Sequence, residues 1–539
     1  MAVIKSRIDT GSAEYVDIHR QMLGLVDEVR KLEGLVRENS GRSRAKFEAR
    51  GQLLPRERLR RLIDPGSTFV EFSTLAGYRM HDDNGHSSIS GGGLVTGIGQ
   101  VAGAQCVITL SDCGIKGGAV SPMGLEKTLR AQQCAMENKL PMIGLIESAG
   151  ANLLHQAELF VRGGRSFYNQ AQLSAMGLPQ IMVVHGSSTA GGAYIPGLAD
   201  YVIMVRERAK VFLAGPPLLK AATGEIATDE ELGGADMHAD ISGTAEYVAG
   251  DDAEAITIAR DLMGRLEWPT AGAGAAGKSF DEPLYDSDEL LGLVPVDYRK
   301  PYDVHEVIAR LVDGSDFMDF KPRFGSEIIC GFAAIEGLSV GLIGNNGPIF
   351  PAGSQKAAQF IQACCQAGRP IVYLQNTTGY MVGKQAEADG AVKHGSKMIQ
   401  AVSNATVPQI TLMIGASFGA GNYGMCGRSF GPRFVFSWPN SRIAVMGGEQ
   451  VAKVMEILAR AGAARKGADV NEQELKQKAE MIVSRMEIES SALYATARLW
   501  DDGVIDPRDS RRLLGYLLRL SLQGDARKIN PSTFGVARM

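Results

Sequence analysis

The stretch LPQIMVVHGSSTAGGAY at 178–194 decides the fold, because it returns as VPQITLMIGASFGAGNY at 407–423. Leu178-Pro179-Gln180-Ile181 answers Val407-Pro408-Gln409-Ile410. Ala190-Gly191-Gly192-Ala193-Tyr194 answers Gly419-Ala420-Gly421-Asn422-Tyr423. A third pair is Glu147-Ser148-Ala149-Gly150 and Asn376-Thr377-Thr378-Gly379. Residue 407 stands against 178, 419 against 190 and 376 against 147, a constant separation of 229 residues. That is far beyond the period of a solenoid, roughly 20–50 residues, so the chain holds two copies of one domain. Each copy places a glycine-rich turn, with its backbone exposed, after an apolar strand. Two such turns suggest one active site that holds two similar negative charges.

At 539 residues the chain has room for two to four domains of about 100–200 residues, and the duplication selects two. Hydrophobic content of 45% and charged content of 22% are those of an ordinary globular protein. A net charge of −4 gives no case for nucleic acid. The basic run at 42–61 stands apart; it reads as a solvated helix face, with a dock for a phosphate-bearing ligand as the alternative. Seven scattered cysteines form no C-x-x-C and suggest a reducing compartment. The first residues contain no apolar signal core, and no apolar run approaches the roughly 18 residues of a membrane span. A soluble, cytoplasmic protein is expected.

Residues 1–65 read as a helical lead-in, with Ile18, Met22, Leu25, Val26, Val29, Leu32 and Leu35 at helical spacing. From about 92, apolar strands alternate with helices between glycine turns: strand 106–110, helix 125–137, strand 142–146, helix 165–176, strand 180–184. The order recurs as strand 340–344, helix 355–367, strand 371–375, helix 395–404 and strand 409–414. The low-complexity stretch 271–277 reads as a flexible linker. The expected division is 66–270 and 291–539 around a linker at 271–290. Residues 449–500 read as a helical excursion.

Side-chain chemistry is hard to find. The sequence has no HExxH, no Cys/His cluster at zinc spacing, no P-loop and no G-x-S-x-G elbow, so no metal is expected. His155 and His394 lie just beyond the 147- and 376-type turns and could line a pocket. What remains is backbone. An amide without a crowding side chain is a preorganised oxyanion donor, and a helix start after the turn would add the positive end of its dipole. Gly191, Gly192, Ala420 and Gly421 fit that role.

Several motifs together resemble the carboxyltransferase (β) subunit of biotin-dependent acyl-CoA carboxylases. They are Arg50-Gly51-Gln52-Leu53-Leu54-Pro55-Arg56-Glu57-Arg58, Ala190 to Tyr194, Ala214-Gly215-Pro216-Pro217 with Lys220, Glu231-Leu232-Gly233-Gly234-Ala235, and Phe418 to Met425. The resemblance runs from about residue 15 to the C-terminus. It implies an α/β fold of two tandem crotonase-like domains of the β-β-α spiral type, in agreement with the duplication. It implies that Gly191 and Gly192 hold the thioester oxygen of acyl-CoA as an enolate, and that Ala420 and Gly421 hold the ureido oxygen of biotin. By the same resemblance Ala149, Gly150, Gly163, Gly164, Ala193 and Tyr423 bind substrate, and Thr378, Gly379, Phe418 and Gly419 bind biotin. In that family the site lies between the first domain of one subunit and the second domain of another. No side-chain base is needed, because carboxybiotin releases CO2 and the biotinyl nitrogen takes the substrate proton.

The stretch 213–225 and the run Gly419 to Arg428 resemble the 3-methylcrotonyl-CoA group of this family. Acetyl- and propionyl-type relatives typically carry Asp where Tyr423 stands. One departure bears on substrate. The stretch 156–165 is shorter than in the methylcrotonyl type and reads Gly163-Gly164-Arg165, where that type has a bulky aromatic. The deeper acyl pocket this implies is similar to that of geranyl-CoA carboxylase, so geranyl-CoA is the favoured substrate. 3-Methylcrotonyl-CoA, or a biotin-independent crotonase-type reaction, is the alternative. The chain shows neither an A-M-K-M biotinylation site nor an ATP motif. The resemblance therefore implies a separate α subunit with biotin carboxylase and biotin carrier, around a β hexamer in an α6β6 complex.

Overall fold

The computed structural model describes residues 3–269, 279–466 and 470–536; the glycine- and alanine-rich stretch 271–277 lies outside them. The chain divides into two compact units, Lys31–Ala276 with Gln523–Met539, and Met1–Arg30 with Gly277–Leu522.

Among the described residues of the first unit, eight strands form one mixed sheet: β1 (Val70–Phe72), β2 (Leu94–Val101), β3 (Ala104–Ser111), β4 (Met142–Ser148), β5 (Gln180–Thr189), β6 (Tyr201–Val205), β7 (Lys210–Phe212) and β8 (Tyr247–Ala249). The order is β1-β2-β3-β4-β5-β6-β8, with β7 beside β5. The first three strands pair antiparallel and the rest parallel. In the other unit β9 (Met318–Asp319), β10 (Ile328–Ile335), β11 (Leu338–Asn345), β12 (Ile371–Thr377), β13 (Gln409–Phe418), β14 (Phe434–Ser437) and β15 (Arg442–Ala444) repeat the plan of β1 to β7 in order and direction. β8 has no counterpart among the described residues.

The repeat extends to hydrogen-bond register. Met142 lies opposite Gln180, and Ile371 opposite Gln409. Both ladders shift once, after Ile146 and after Gln375, and resume at Ser148–Ser188 and Thr377–Ser417. Each of these positions keeps the 229-residue separation of the sequence. β5 pairs with β6 along Ile181–Val184 and with β7 at Ser187–Thr189; β13 divides in the same way between β14 and β15. The end of the long strand therefore leaves the main sheet, carrying the glycine turn with it.

Both faces of the central strands are covered, which is why they read as unbroken apolar runs. Ile181 and Val183 face Ile143, Leu145, Ile203 and Val205, under Ala255, Ile256 and Ala259 of the helix Asp252–Arg265. Met182 and Val184 point the other way, to Ile146, Val202, Met204 and Val211. In the second unit Ile343, Ile371 and Tyr373 pack on Phe360 and Ile361 of the helix Pro351–Gln366 and on Met398 and Val402 of the helix Ala391–Ser403. The lead-in is the helix Ala13–Gly41, which buries Ile18, Met22, Val26, Val29, Leu32 and Val36. The excursion is formed by the helices Gly448–Arg465 and Glu472–Glu489. No described helix is long and apolar enough to cross a membrane.

Two expectations need correction. The helix expected from 165 starts at Gln156 and runs through Gly163 and Gly164. Each glycine costs a helix about 1 kcal/mol against alanine, but Leu159, Ser166, Asn169, Gln170 and Leu173 all bury on one side, and packing outweighs propensity. The basic run is not uniformly solvated: Arg42, Arg44, Lys46, Arg50, Arg60 and Arg61 are exposed, whereas Arg58 is fully buried.

Candidate functional site

Each unit carries one glycine turn of the same construction. β5 passes through Ala190, at φ +53°, into the single 3-10 turn Ala190–Ala193. β13 passes through Gly419, at φ +55°, into the short helix Gly421–Gly424. A left-handed alanine costs about 1–2 kcal/mol; pairing of Thr189 with Phe212 on β7 holds it in place. Beyond that residue the exposure repeats: Gly191 and Ala420 are exposed, Gly192 and Gly421 buried. Amides at the start of a helical turn have no carbonyl one turn behind them. The helical segments that follow, Tyr194–Gly197 and Gly421–Gly424, span four residues each. So few aligned peptides sum to a small dipole, and the turns offer amides rather than the helix field the sequence suggested.

The buried glycine of each pair is fixed by its neighbour. A Cβ on Gly192 would lie 3.2 Å from the Ser148 hydroxyl, and one on Gly421 would lie 2.8 Å from Thr377 Cγ2 and 3.0 Å from Gly379 Cα. The Ser148 and Thr377 hydroxyls accept from the amides of Gly150, at 3.1 Å, and Gly379, at 3.2 Å. Gly150 and Gly379 hold φ of +84° and +117°. Ala149 and Thr378 between them are exposed. Gly191 differs: a Cβ there would meet nothing within 4 Å. The fold gives no packing reason for a glycine at that exposed turn.

Within each unit the structure gathers most of the expected residues. Ser148 brings Ala149 and Gly150 beside the 190–194 turn, and Thr377 brings Thr378 and Gly379 beside the 419–424 turn. Two residues contribute differently from what a side-chain reading implies. The Ala193 methyl belongs to the core around Ile146 and Met182, and the Phe418 ring is buried edge-on against Tyr298 at 5.0 Å, so both offer backbone only. Tyr423 is half exposed, with its ring 5.3 Å from Phe430. His394 meets Lys397 at 3.2 Å and joins no cluster with the turn.

The helix Gln156–Ala175 docks on the first turn. Phe167 meets Tyr194 edge-on at 5.9 Å, and Gln170 donates to the Ile195 carbonyl at 3.1 Å. Gly163 lies one helical turn before Phe167, on the same face. A Cβ on Gly163 would meet only Leu125, at 4.0 Å, next to the apolar cluster of Leu125, Leu129 and Leu159. Gly164 is exposed, with nothing within 4 Å of a Cβ. The space the missing side chains leave is open.

Glu147, next to Ser148 at the end of β4, is engaged inward. It accepts from Arg58 Nη1 at 3.2 Å and lies against Gly186, where a Cβ would be 2.6 Å from its Cδ. Arg58 Nε donates to Asp252 at 3.0 Å, Asp252 also pairs with His185 Nδ1 at 2.9 Å, and Gln52 donates to the His185 carbonyl. Burial, then the Arg58 charge, depresses His185 to about 4. Burial alone would raise Asp252; the His185 hydrogen bond and the Arg58 charge hold it at about 2. In the second copy Asn376 accepts from the Ala416 amide at 2.7 Å instead. Sequence reasoning missed this network; its signal was the run Gln52 to Arg58, whose residues look like surface charge in a list.

Three comparisons bear on this geometry. The carboxyl transferase domain family matches residues 46–536. The chain is 48% identical over 539 residues, all of both chains, to a probable biotin-dependent acyl-coenzyme A carboxylase beta2 subunit of Mycobacterium tuberculosis. It is 45% identical to a probable mitochondrial methylcrotonoyl-CoA carboxylase beta chain of Drosophila melanogaster, covering all of this chain and 95% of that one. The crystal structure of the beta subunit of geranyl-CoA carboxylase from P. aeruginosa superposes with a TM-score of 0.93 at 53% identity over the whole of both chains.

Proposed function

Because the chain belongs to the carboxyl transferase domain family, as the β subunit of a biotin-dependent acyl-CoA carboxylase of the methylcrotonoyl- or geranyl-CoA type, we propose that it carboxylates the β-methyl group of a branched enoyl-CoA, with geranyl-CoA preferred. The observation that carries the preference is the open space at Gly163, beside Leu125 and one turn before the Phe167–Tyr194 contact. The relative of 53% identity that acts on geranyl-CoA points the same way. The two mixed sheets with matching registers support a crotonase-like reading of both units.

In this reading the amides of Gly191 and Gly192 donate to the thioester oxygen as it gains charge on loss of the substrate proton. Ala420 and Gly421 donate to the ureido oxygen of biotin; the close approach of Thr377 and Gly379, which leaves no place for a Cβ on Gly421, fixes that turn. Biotin, carried on a partner α subunit, supplies the carboxyl group. The chain's own contribution is to position both ligands and stabilise oxyanions in a preorganised site. Glu147 is given no catalytic role, because its carboxylate is paired with Arg58 at 3.2 Å. A β hexamer at the core of an α6β6 complex belongs to the same proposal. The test is a carboxylation assay of the chain co-expressed with its α partner, over geranyl-CoA, 3-methylcrotonyl-CoA and propionyl-CoA. A kcat/KM highest for geranyl-CoA is expected. A maximum at 3-methylcrotonyl-CoA would move the assignment to the activity of the 45% identical relative.

A further inference from the structure

The sequence shows no metal-binding spacing, yet folding brings two histidines and a glutamate together on the first unit. His81 Nε2 lies 3.1 Å from Glu158 Oε2, and the rings of His81 and His155 meet edge-on at 4.7 Å. One ligand atom from each of the three residues falls within 4.8 Å of the others. We propose that His81, His155 and Glu158 form a binding site for a divalent transition metal of the zinc class.

Four observations carry it. First, His155 Nε2 is shielded from solvent and has no hydrogen-bond partner. A buried polar nitrogen left unpaired is costly, and a metal ion would satisfy it. Second, His155 caps the helix Gln156–Ala175 and Glu158 lies in its first turn, so the same helix start carries both. Third, His81 is held in the left-handed region, at φ +55°, with Arg79 at +53°. Non-glycine residues kept in that region cluster at functional sites. Fourth, the donor set is chemically coherent: two imidazoles and a carboxylate suit zinc, and three protein ligands leave a fourth position open. Ligand atoms around a tetrahedral zinc sit roughly 3.3 Å apart, from Zn–N distances of about 2.0–2.1 Å. The three ligand atoms lie within 4.8 Å of one another, so a bound ion would draw them together. Asp82, 3.9 Å from His155 Nε2 and paired with Lys116, is placed to orient the site or to complete it. A bound metal would clasp the turn at 79–83 to the start of the helix that carries Gly163 and Phe167.

The full-length chain, stripped with a chelator, is titrated with zinc by calorimetry and then loaded with cobalt for visible spectroscopy. One equivalent per chain is expected, with the intense d–d bands of a tetrahedral nitrogen–oxygen site. His155→Ala and His81→Gln each lower the affinity at least about 100-fold, and Glu158→Gln lowers it about 10–100-fold. His81 and Glu158 are exposed and His155 is half-buried, and unchanged melting of the metal-free variants verifies that they fold. Failure to bind stoichiometric zinc overturns the proposal. So does binding that His155→Ala leaves intact, or a thiolate-to-cobalt charge-transfer band, which would assign the metal to cysteine.

Discussion

Gly163→Phe tests how the acyl chain is read. Position 163 is half-buried, its backbone is helical, and a Cβ there meets only Leu125 at 4.0 Å. The substitution therefore folds, and replacing a mid-helix glycine adds about 0.5 kcal/mol of helix propensity. The ring settles over Leu125 and Leu159, in the space proposed for the distal isoprene unit. A geranyl chain is about five carbons longer than a methylcrotonyl chain. At about 0.8 kcal/mol per buried CH2, excluding those carbons removes up to about 4 kcal/mol, or roughly 10³ in kcat/KM. If half of the tail finds another path, about 2 kcal/mol and roughly thirtyfold remain. The shorter substrate ends before the ring and should hold its kcat/KM or gain. The assay is steady-state carboxylation of both thioesters by wild type and variant with the same α partner. Equal losses on the two substrates would refute the reasoning, because they would report a distorted turn rather than a filled pocket.

Further outcomes follow from other sites. Gly421→Ala puts a methyl 2.8 Å from Thr377 Cγ2 and 3.0 Å from the Gly379 backbone; it should cost about 1–3 kcal/mol of stability and, by displacing the donors toward 1 Å, about 10² in kcat, both read on purified protein. Asp252→Asn should destabilise by about 3–5 kcal/mol, measured by denaturant unfolding, because Arg58 loses a buried partner. His185 sits at about 4 against an ordinary 6.5, so the unfolded chain takes up the proton first. Stability should fall as pH drops from 6.5 toward 4, at up to about 1.4 kcal/mol per pH unit, and His185→Gln should flatten that limb. The opposite sign applies to His305, raised to about 9 by its hydrogen bonds to Asp303 and Asp319. Its contribution is complete below 6.5 and lost as pH rises through 9, so a melting curve at pH 10 should lose the advantage wild type has over His305→Gln at pH 6.

The duplication was legible because a tight turn that exposes backbone accepts few residues, and the same few recur at 147–150, 190–194 and their counterparts. Register and the bulges at Ser148 and Thr377 followed the same separation. What the sequence could not show was direction. Ala193 and Phe418 stand inside motifs that bear on the site, yet their side chains serve the core. Arg58 lies in a run of surface charge and is buried, because its neighbours Leu59 and Leu62 face the same core. The helix through Gly163 and Gly164 was hidden by its own glycines, whose local cost is met by contacts on the far side. His81 and His155 are separated by 74 residues, so no spacing rule could join them; only the fold does.

The central claim is that each copy's turn stabilises a different oxyanion. Proline deletes the N–H that the claim depends on, so Gly192→Pro and Gly421→Pro are compared in the two partial reactions, once circular dichroism and subunit assembly have shown that both are folded. Exchange of the substrate's acidic hydrogen with deuterated solvent reads the enolate, and decarboxylation of carboxybiotin reads the ureido side. Loss of one oxyanion donor is worth about 3–4 kcal/mol, roughly 10²–10³ in rate. The account predicts that Gly192→Pro loses exchange while largely keeping decarboxylation, and that Gly421→Pro does the reverse. A folded Gly421→Pro enzyme that still carboxylates near the wild-type rate would contradict it.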